Sequence, residues 1–377
     1  MNNILQDKWC CGCTACESIC PNSAISISDK QGFYMPKLNS DLCTECGLCV
    51  KVCPGKRSPY NTYYAQKAFA AVNQNDEIRT LSTSGGAFSA LAEAVISKGG
   101  IIYGAVCDGN NVIHKRTTDD YGKMRGSKYL QSRIGKAFLL VEQDLKNGVT
   151  VLFSGTPCQC AGLKKYLNYK RVPLTDLITV DFICHGVVSP GIFKDYIDYC
   201  NKKSRKTVKE HIFRSKIHGW TKHTELNIFT DGTTDSQSYA SQLFKSVFYS
   251  HLGMNDACFE CRYASINRES DITMGDFWGI KNNHPELFDE SGVSFLLVNT
   301  QKGMNLLELC KGLTVHDVDI TDVEQPQLYG PAKKPEGYED FWNYYNLNGF
   351  NKTVKKYYHG GTVYRMLSNI YRFLMKR

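Results

Sequence analysis

Residues 10–21 read CCGCTACESICP, and residues 43–54 read CTECGLCVKVCP. Both segments have the spacing C-x-x-C-x-x-C-x-x-x-C-P, so a four-cysteine run that ends in proline occurs twice within the first 54 residues. Three closely spaced thiolates can surround one cubane cluster, while the fourth, beside the proline, reaches the other cluster. The repeat therefore predicts a small domain that holds two 4Fe-4S clusters.

This crossed arrangement divides the repeated cysteines into two ligand sets. The first set is Cys10, Cys13, Cys16 and Cys53, and the second set is Cys43, Cys46, Cys49 and Cys20. Zinc also binds thiolates, but two complete runs of four cysteines exceed what one tetrahedral ion needs. Cys11 fits neither set, and we interpret it as a small packing residue.

The composition of the whole chain is typical of a globular, water-soluble protein. Residues Met1 to Trp9 include polar residues and lack the apolar stretch of a signal peptide, so we expect a cytoplasmic protein. Of its 377 residues, 42% are apolar, and 45 Lys and Arg outnumber 37 Asp and Glu, for a formal charge of +8. In a reducing compartment, seventeen cysteines favour metal ligation over disulfides. The sequence has no apolar run long enough to span a bilayer, so we expect no transmembrane segment. It also has no basic run with interleaved aromatic residues, so we expect no nucleic-acid partner.

The pattern of the chain changes near residue 60. Nine cysteines lie before residue 54, whereas later segments alternate between apolar helices and strands, such as a helix over 86–98 and a strand over 101–106. This alternation predicts an α/β (α+β) catalytic module with a mixed sheet, preceded by a ferredoxin-like iron–sulfur domain. The predicted units are an iron–sulfur domain over 1–58, a catalytic module over 62–345 and a helical tail over 346–377. We expect the first two to fold independently.

The tail has the pattern of a basic amphipathic helix. From Thr362 onward, apolar residues recur on one helical face, accompanied by several Lys and Arg residues. Such a helix can dock onto its own domain, or it can contact a membrane surface or a protein partner.

Four further cysteines are scattered along the catalytic module. Cys158 lies where a predicted strand turns into a helix, a position at which the helix dipole favours a thiolate. Cys184 follows another predicted strand, and Cys258 and Cys261 form a C-x-x-C pair. These four thiols could hold a third cluster; a redox disulfide or catalytic thiol, or a set of unrelated buried cysteines, are the alternatives.

Two parts of the chain resemble known families. The first 55 residues or so resemble a bacterial-type two-cluster ferredoxin, on the strength of the duplicated run. From about residue 65 to 300, five motifs are similar to those of the β subunit of coenzyme F420-reducing hydrogenase and dehydrogenase. They are STSGGAFSAL (82–91), GSKYLQS (126–132), SGTPCQ (154–159), CHG (184–186) and DITMGDFWG (271–279).

The second resemblance implies a flavoprotein oxidoreductase. Its flavin, FAD, would exchange a hydride with a substrate and single electrons with a nearby cluster. The family pattern also includes scattered cysteines, which adds support for a third 4Fe-4S cluster at Cys158, Cys184, Cys258 and Cys261. Coenzyme F420 is one implied substrate, and a metabolite, for example in polysaccharide biosynthesis, is another.

The flavin-binding candidates begin at a glycine-rich helix start. Ser84, Gly85 and Gly86 precede an amphipathic helix whose free N–H groups could hold a pyrophosphate, although simple capping of the helix explains the same residues. No G-x-G-x-x-G follows a strand, so an ordinary nicotinamide site has no support.

Other candidate residues lie in the later motifs. Gly155 and Thr156 form a strand-to-helix junction that can face an anion. Lys128 could bind phosphate or reduced flavin, and Asp276 could bind a ribose or a flavin edge; a surface lysine and a turn cap are the simpler roles. His185 could donate a proton, or it could hydrogen-bond a cluster sulfur or a main-chain carbonyl.

We therefore predict an iron–sulfur flavoprotein that passes electrons between 4Fe-4S clusters and FAD, for two-electron chemistry on a small organic molecule. Its partners would be that substrate and a redox protein that donates or accepts electrons. The alternative function is a non-catalytic electron-relay subunit of a larger redox complex.

Overall fold

The computed structural model describes residues 9–56 and 66–358 of the chain. The predicted boundary between residues 58 and 62 falls outside these ranges, as do residues 359–377, which include most of the predicted amphipathic tail. The three domain boundaries therefore stay predictions.

A two-stranded hairpin, a large sheet and a small sheet account for the strands of the described residues. The strands are β1 (Ile25–Lys30), β2 (Phe33–Leu38), β3 (Lys67–Asn73), β4 (Ile101–Asp108), β5 (Asn111–Thr117), β6 (Val151–Ser154), β7 (Leu177–Phe182), β8 (Val208–Ser215), β9 (Thr224–Phe229), β10 (Thr234–Asp235), β11 (Ile272–Asp276), β12 (Ser294–Val298) and β13 (Leu313–Val318). The large sheet has the order β13-β3-β12-β11-β7-β6-β4-β5. Strands β4, β6, β7 and β11 run parallel at its centre, and the outer strands pair antiparallel. The predicted α/β module with a mixed sheet is confirmed.

Helices cover both faces of the large sheet. The α-helices are α1 (Ala15–Ile19), α2 (Leu48–Lys51), α3 (Asp76–Leu81), α4 (Ala87–Ile96), α5 (Ala137–Lys146), α6 (Pro157–Tyr169), α7 (Pro190–Ser204), α8 (Leu243–Ser250), α9 (Ile280–Asn283), α10 (Gln301–Leu309) and α11 (Tyr338–Tyr357). Ile102 and Leu152 share a core with α4 and α10, whereas their chain neighbours Tyr103 and Phe153 share a core with α5 and α6. Successive strand residues thus point to opposite faces, as the pleat requires.

The N-terminal region folds with internal pseudo-symmetry. Each cysteine run contains a short helix, α1 or α2, and the residue before each helix, Thr14 or Gly47, has a left-handed backbone with φ of 61° or 73°. This left-handed turn lies between the second and third cysteine of each run. The hairpin of β1 and β2 joins the two halves.

The N-terminal region shares its hydrophobic core with the α/β module. Ala15, Ile19 and Val52 are buried in one cluster with Phe138 and Tyr166 of α5 and α6. On the other side, the ring centroid of Phe33 in β2 lies 5.8 Å from the ring centroid of Trp342 in α11. The expectation of two independently packed units is therefore wrong for the described residues, because the ferredoxin-like region covers apolar surface of its neighbour.

Residues 338–358 pack into the module. Tyr338, Phe341, Trp342, Phe350 and Val354 of α11 are buried, and the helix is interrupted at Gly349 by a non-helical backbone. The predicted start of the tail, residue 346, thus lies inside a docked helix. Within residues 9–56 and 66–358, no helix is both long and apolar enough to cross a membrane.

Candidate functional site

The second cysteine set lies at the outer end of the N-terminal region. Cys20, Cys43, Cys46 and Cys49 all line one small cavity of about 30 Å³. Main-chain N–H groups of Ala24 and Glu45 donate to Cys20 Sγ and Cys43 Sγ at 3.3 and 3.4 Å. Such donors stabilise thiolate sulfur, and Cys46 is exposed to solvent. The fourth cysteine of the first run thus lies with the second run, which is the crossed arrangement.

The first set lies deeper, against α6. Burial and then the neighbouring Cys53 and Cys158 thiols raise the pKa of Cys10 to about 11. Burial, followed by the Cys10, Cys53 and Cys49 thiols, raises the pKa of Cys16. The Cys10, Cys16 and Cys53 thiols therefore lie within electrostatic range of one another. The fourth member, Cys13, is buried, and its Sγ would be 2.9 Å from a Cβ added at Gly162.

The four scattered cysteines converge on a third place. Cys158, Cys184, Cys258 and Cys261 line one cavity of about 60 Å³ at the start of α6, together with Cys11. Burial and then the Cys158 thiol raise the pKa of Cys184 and also that of Cys261. In the free thiol, contact with Cys11 and burial raise the pKa of Cys158, and they oppose the effect of the helix start, which favours a thiolate.

The third cavity has features that suit a bound cluster. Arg268 is almost fully buried, and its positive charge favours the thiolate forms of Cys184 and Cys261. The N–H of Gly186 donates to Cys184 Sγ at 3.4 Å, and Thr156 Oγ1 lies 3.1 Å from Cys158 Sγ. Among the described residues, no group of three or more His, Cys, Asp or Glu side chains is arranged for a single metal ion. The four thiols line the wall of a cavity, which suits a cluster of several atoms better than a single ion.

A larger cavity of about 270 Å³ opens beside the third cysteine set, at the carboxyl ends of β6, β7 and β11. Most of the predicted cofactor and catalytic residues line it: Ser84, Gly86, Lys128, Gly155, Thr156, Asp276 and His185. Gly85 does not, and a Cβ there would lie 2.3 Å from the carbonyl oxygen of Ala71 and 2.7 Å from the amide nitrogen of Ser294. Gly85 therefore allows close packing against β3 and β12, and it does not line this cavity.

Lys128 fixes the edge of this cavity. Its Nζ donates to the carbonyl oxygens of Met124, Arg125 and Gly126 at 3.2, 2.7 and 3.1 Å. Burial lowers the pKa of this ammonium to about 8. The Lys128 ammonium therefore holds the 124–126 loop through three hydrogen bonds, and it also contributes positive charge to the cavity.

Asp276 is held by residues that sequence motifs do not indicate. Arg214 Nη1 lies 3.2 Å from one carboxylate oxygen, and Trp220 Nε1 donates to the other at 2.9 Å. The Arg214 guanidinium stacks 5.2 Å above Trp278, whose ring is itself stacked on Trp220. No local spacing could reveal this group, because β8 contributes Arg214 and β11 contributes Asp276, 62 positions later.

His185 lies between the two cavities. It lines both, and its Nε2 is 3.1 Å from Oε1 of Gln325, whose Nε2 donates to the Asp276 carbonyl at 3.0 Å. Burial lowers the pKa of His185, so the imidazole is mostly neutral at pH 7. Thr156, Gln159 and Gly186 also line both cavities. One layer of residues therefore separates the third cysteine set from the large cavity.

Two families of known proteins match the chain. Residues 9–56 match the family described as 4Fe-4S dicluster domain, and residues 148–321 match the family that describes the C terminus of the coenzyme F420 hydrogenase/dehydrogenase β subunit. Both predicted resemblances are confirmed. The chain is thus an iron–sulfur electron-transfer protein related to those β subunits, and its N-terminal region is a 4Fe-4S binding region.

Three individual proteins are similar to the chain or to a part of it. A protein of Methanosarcina mazei that is one subunit of F420H2 dehydrogenase is 22% identical over 242 residues, covering 59% of this chain and 67% of that protein. Ferredoxin YfhL of Escherichia coli is 44% identical over 57 residues, which are 14% of this chain and 62% of that protein. A chain of the F420-reducing NiFe hydrogenase complex from Methanosarcina barkeri is 19% identical, with a TM-score of 0.48, over 81% of this chain and 96% of that one.

Proposed function

We propose that the chain is an iron–sulfur flavoprotein oxidoreductase with three 4Fe-4S clusters and one FAD. Its cysteines would hold the clusters in the three sets described above, and the large cavity would hold the flavin. When bound, the clusters supply one-electron steps, and the flavin couples them to a two-electron change in an organic substrate.

The order of the sites carries this proposal. Cys49 of the second set lies within electrostatic range of Cys16 of the first, and Cys10 of the first lies within the same range of Cys158 of the third. The third set in turn shares its wall with the large cavity through Thr156 and His185. The protein therefore offers a continuous row of thiol sets from its surface to a cavity of ligand size, as a route for electrons requires.

The large cavity also fits the anionic part of a flavin dinucleotide. At its rim, α4 begins at Gly86 with no side-chain cap, so the first N–H groups of a ten-residue helix are open to an acceptor. The charged residues that line the cavity are Arg125, Lys128, Arg214 and Asp276, an excess of positive charge. Open N–H groups and this charge favour a pyrophosphate.

The relay function is the second candidate, supported by the name of the Methanosarcina mazei relative. That name describes one subunit of a dehydrogenase, so this chain would also work beside a redox partner. If the chain is an enzyme, the purified protein alone oxidises reduced coenzyme F420 or reduces another organic acceptor. Turnover that requires a partner subunit would favour the relay.

Iron content tests the number of clusters. We expect about twelve iron atoms per chain in anaerobically prepared protein, since each of three clusters holds four. About eight iron atoms would remove the third cluster from the proposal. One or two equivalents of zinc without iron would overturn the entire redox function.

Ser154→Trp tests the flavin site. Ser154 ends β6 and lines the large cavity, so an indole there would occupy the space proposed for the flavin. Overpacking of a fitted site costs about 1–3 kcal/mol, so flavin affinity should fall about 5- to 140-fold while iron content is unchanged. Ser154→Ala is the matched control and should keep its flavin. Wild-type flavin content in the Trp variant would place the flavin elsewhere.

A further inference from the structure

Gln131 belongs to the motif at residues 126–132, and the proposed function gives it no role. The residue is only 2% exposed, and it lines the cavity of the third cysteine set. The Tyr34 N–H donates to Gln131 Oε1 at 2.6 Å, and Gln131 Nε2 donates to the Tyr34 carbonyl at 3.2 Å. The side-chain amide therefore pairs with the free edge of β2 as a peptide group of a neighbouring strand would.

The same amide also contacts the first cysteine run. Gln131 Nε2 donates to the Cys11 carbonyl at 3.3 Å, so its two hydrogens serve two main-chain carbonyls. Gly12 follows with a left-handed φ of 68°, and a Cβ there would lie 2.0 Å from Gln131 Nε2. Gly12 therefore leaves room for the amide beside the loop that joins Cys10 to Cys13.

Asn255 makes a second contact of this kind. It is 2% exposed, and its Nδ2 donates to the Cys10 carbonyl at 3.4 Å, while its Oδ1 accepts from the Ala257 N–H at 3.0 Å. The Asn255 carbonyl accepts from the N–H of Cys258 at 2.9 Å. One residue thus links the main chain of the first cysteine run to the loop of the third set.

Both amides are also fixed to the segment that follows Cys184. The Gln131 N–H donates to the Val188 carbonyl at 3.1 Å, and the Asn255 N–H donates to the Val187 carbonyl at 3.0 Å. The main chains that carry the two side chains are therefore attached to the third set, while the side chains themselves hold the first run.

We infer that Gln131 and Asn255 are positioning residues that fix the first cluster relative to the third, and so set the rate at which electrons pass between the two. The inference rests on the proposed function, since it needs a cluster in both cysteine sets. Apolar packing between the two regions is non-directional, whereas a buried amide is costly unless its hydrogen bonds are made. The amides therefore select one register in which the two regions pack.

Gln131→Met tests the first contact, because methionine has a similar length but no amide. Anaerobic protein should keep about twelve iron atoms. Electron paramagnetic resonance of the reduced protein should show a weaker magnetic interaction between the first and third clusters, and electron transfer between them should slow. The Tyr34 amide should exchange its hydrogen about tenfold faster or more, because it loses its acceptor.

Asn255→Ser tests the second contact separately. Serine can still accept from the Ala257 N–H, but it is too short to reach the Cys10 carbonyl, so the magnetic interaction should weaken at unchanged iron content. Asn111→Ala is the matched control. The exposed Asn111 accepts from the Tyr34 hydroxyl at 3.1 Å, so its loss removes a contact between the same two regions and should change neither measurement.

Iron content separates the outcomes. Gln131→Met with wild-type iron content and an unchanged magnetic interaction would overturn the inference and leave the three-cluster proposal intact; if only hydrogen exchange became faster, the amide would merely hold the hairpin. Loss of about four iron atoms from Gln131→Met would also overturn it, because the residue would then be needed for a cluster to bind. Wild-type protein with about eight iron atoms would instead contradict the proposed function, and the inference would fall with it.

Discussion

Cys158→Ala should lose about four of twelve iron atoms and reduce donor-dependent turnover about a hundredfold or more. The expectation follows from the position of Cys158 between Cys10 of the first set and the other thiols of the third. A cluster with three of its four ligands is lost or altered in potential, and changes even around metal ligands cost about 10- to 100-fold. The row of thiol sets would then be interrupted directly before the large cavity.

Two measurements on the same preparation check this prediction. Iron per chain reports the cluster, and the rate of flavin reduction by a reduced one-electron protein donor reports the route. Cys160→Ala serves as control, since it removes a buried thiol two positions away without removing a proposed ligand. Full iron content together with full donor-dependent turnover would show that the four scattered cysteines are structural.

The sequence could predict those features whose residues are close together along the chain. The duplicated cysteine run is one, because the cysteines of each run lie close together along the chain. The helix predicted over 86–98 is observed at Ala87–Ile96, and the strand predicted over 101–106 lies within Ile101–Asp108. In each case the apolar period and the glycines at the ends are local signals.

Contacts between distant segments could not be predicted in this way. Gly85 and Gly86 are neighbours in one motif, yet Gly85 packs against two strands and Gly86 opens into the cavity. Their difference depends on where β3 and β12 lie. The role of Arg214 could not be predicted for the same reason. Arg214 belongs to no sequence motif, and it becomes part of the site only through its ion pair with Asp276.

The change of composition near residue 60 also did not predict how the regions on either side of it pack against each other. It marks a change in local pattern, but it carries no information on which apolar side chains cover one another. Ile19 and Val52 look like core residues of a small domain, whereas the structure buries them against α5 and α6. The interface therefore explains why the first cysteine set lies so close to the third.

Deletion of residues 1–58 should destabilise the remaining module severely, contrary to what its composition suggests. Ile19, Val52 and Phe33 are nearly fully buried, and their removal exposes matching apolar surface on α5, α6 and α11. At about 1.5–3 kcal/mol for each such side chain, the loss amounts to about 5 kcal/mol or more. That is a large part of the 5–15 kcal/mol that typically stabilises a folded protein. We expect the melting temperature to fall by about 10 °C or more, as measured by thermal unfolding.

The double variant Cys43→Ala/Cys46→Ala separates this loss of packing from the loss of a cluster. It removes two ligands of the second set, which lies at the surface, and keeps every apolar contact with α5, α6 and α11. Its melting temperature should therefore stay much closer to that of the wild type than that of the truncated chain. A truncated chain that unfolds cooperatively at the wild-type temperature would show that the shared core contributes little. In that case the close approach of Cys10 to Cys158 would rest on contacts other than apolar packing.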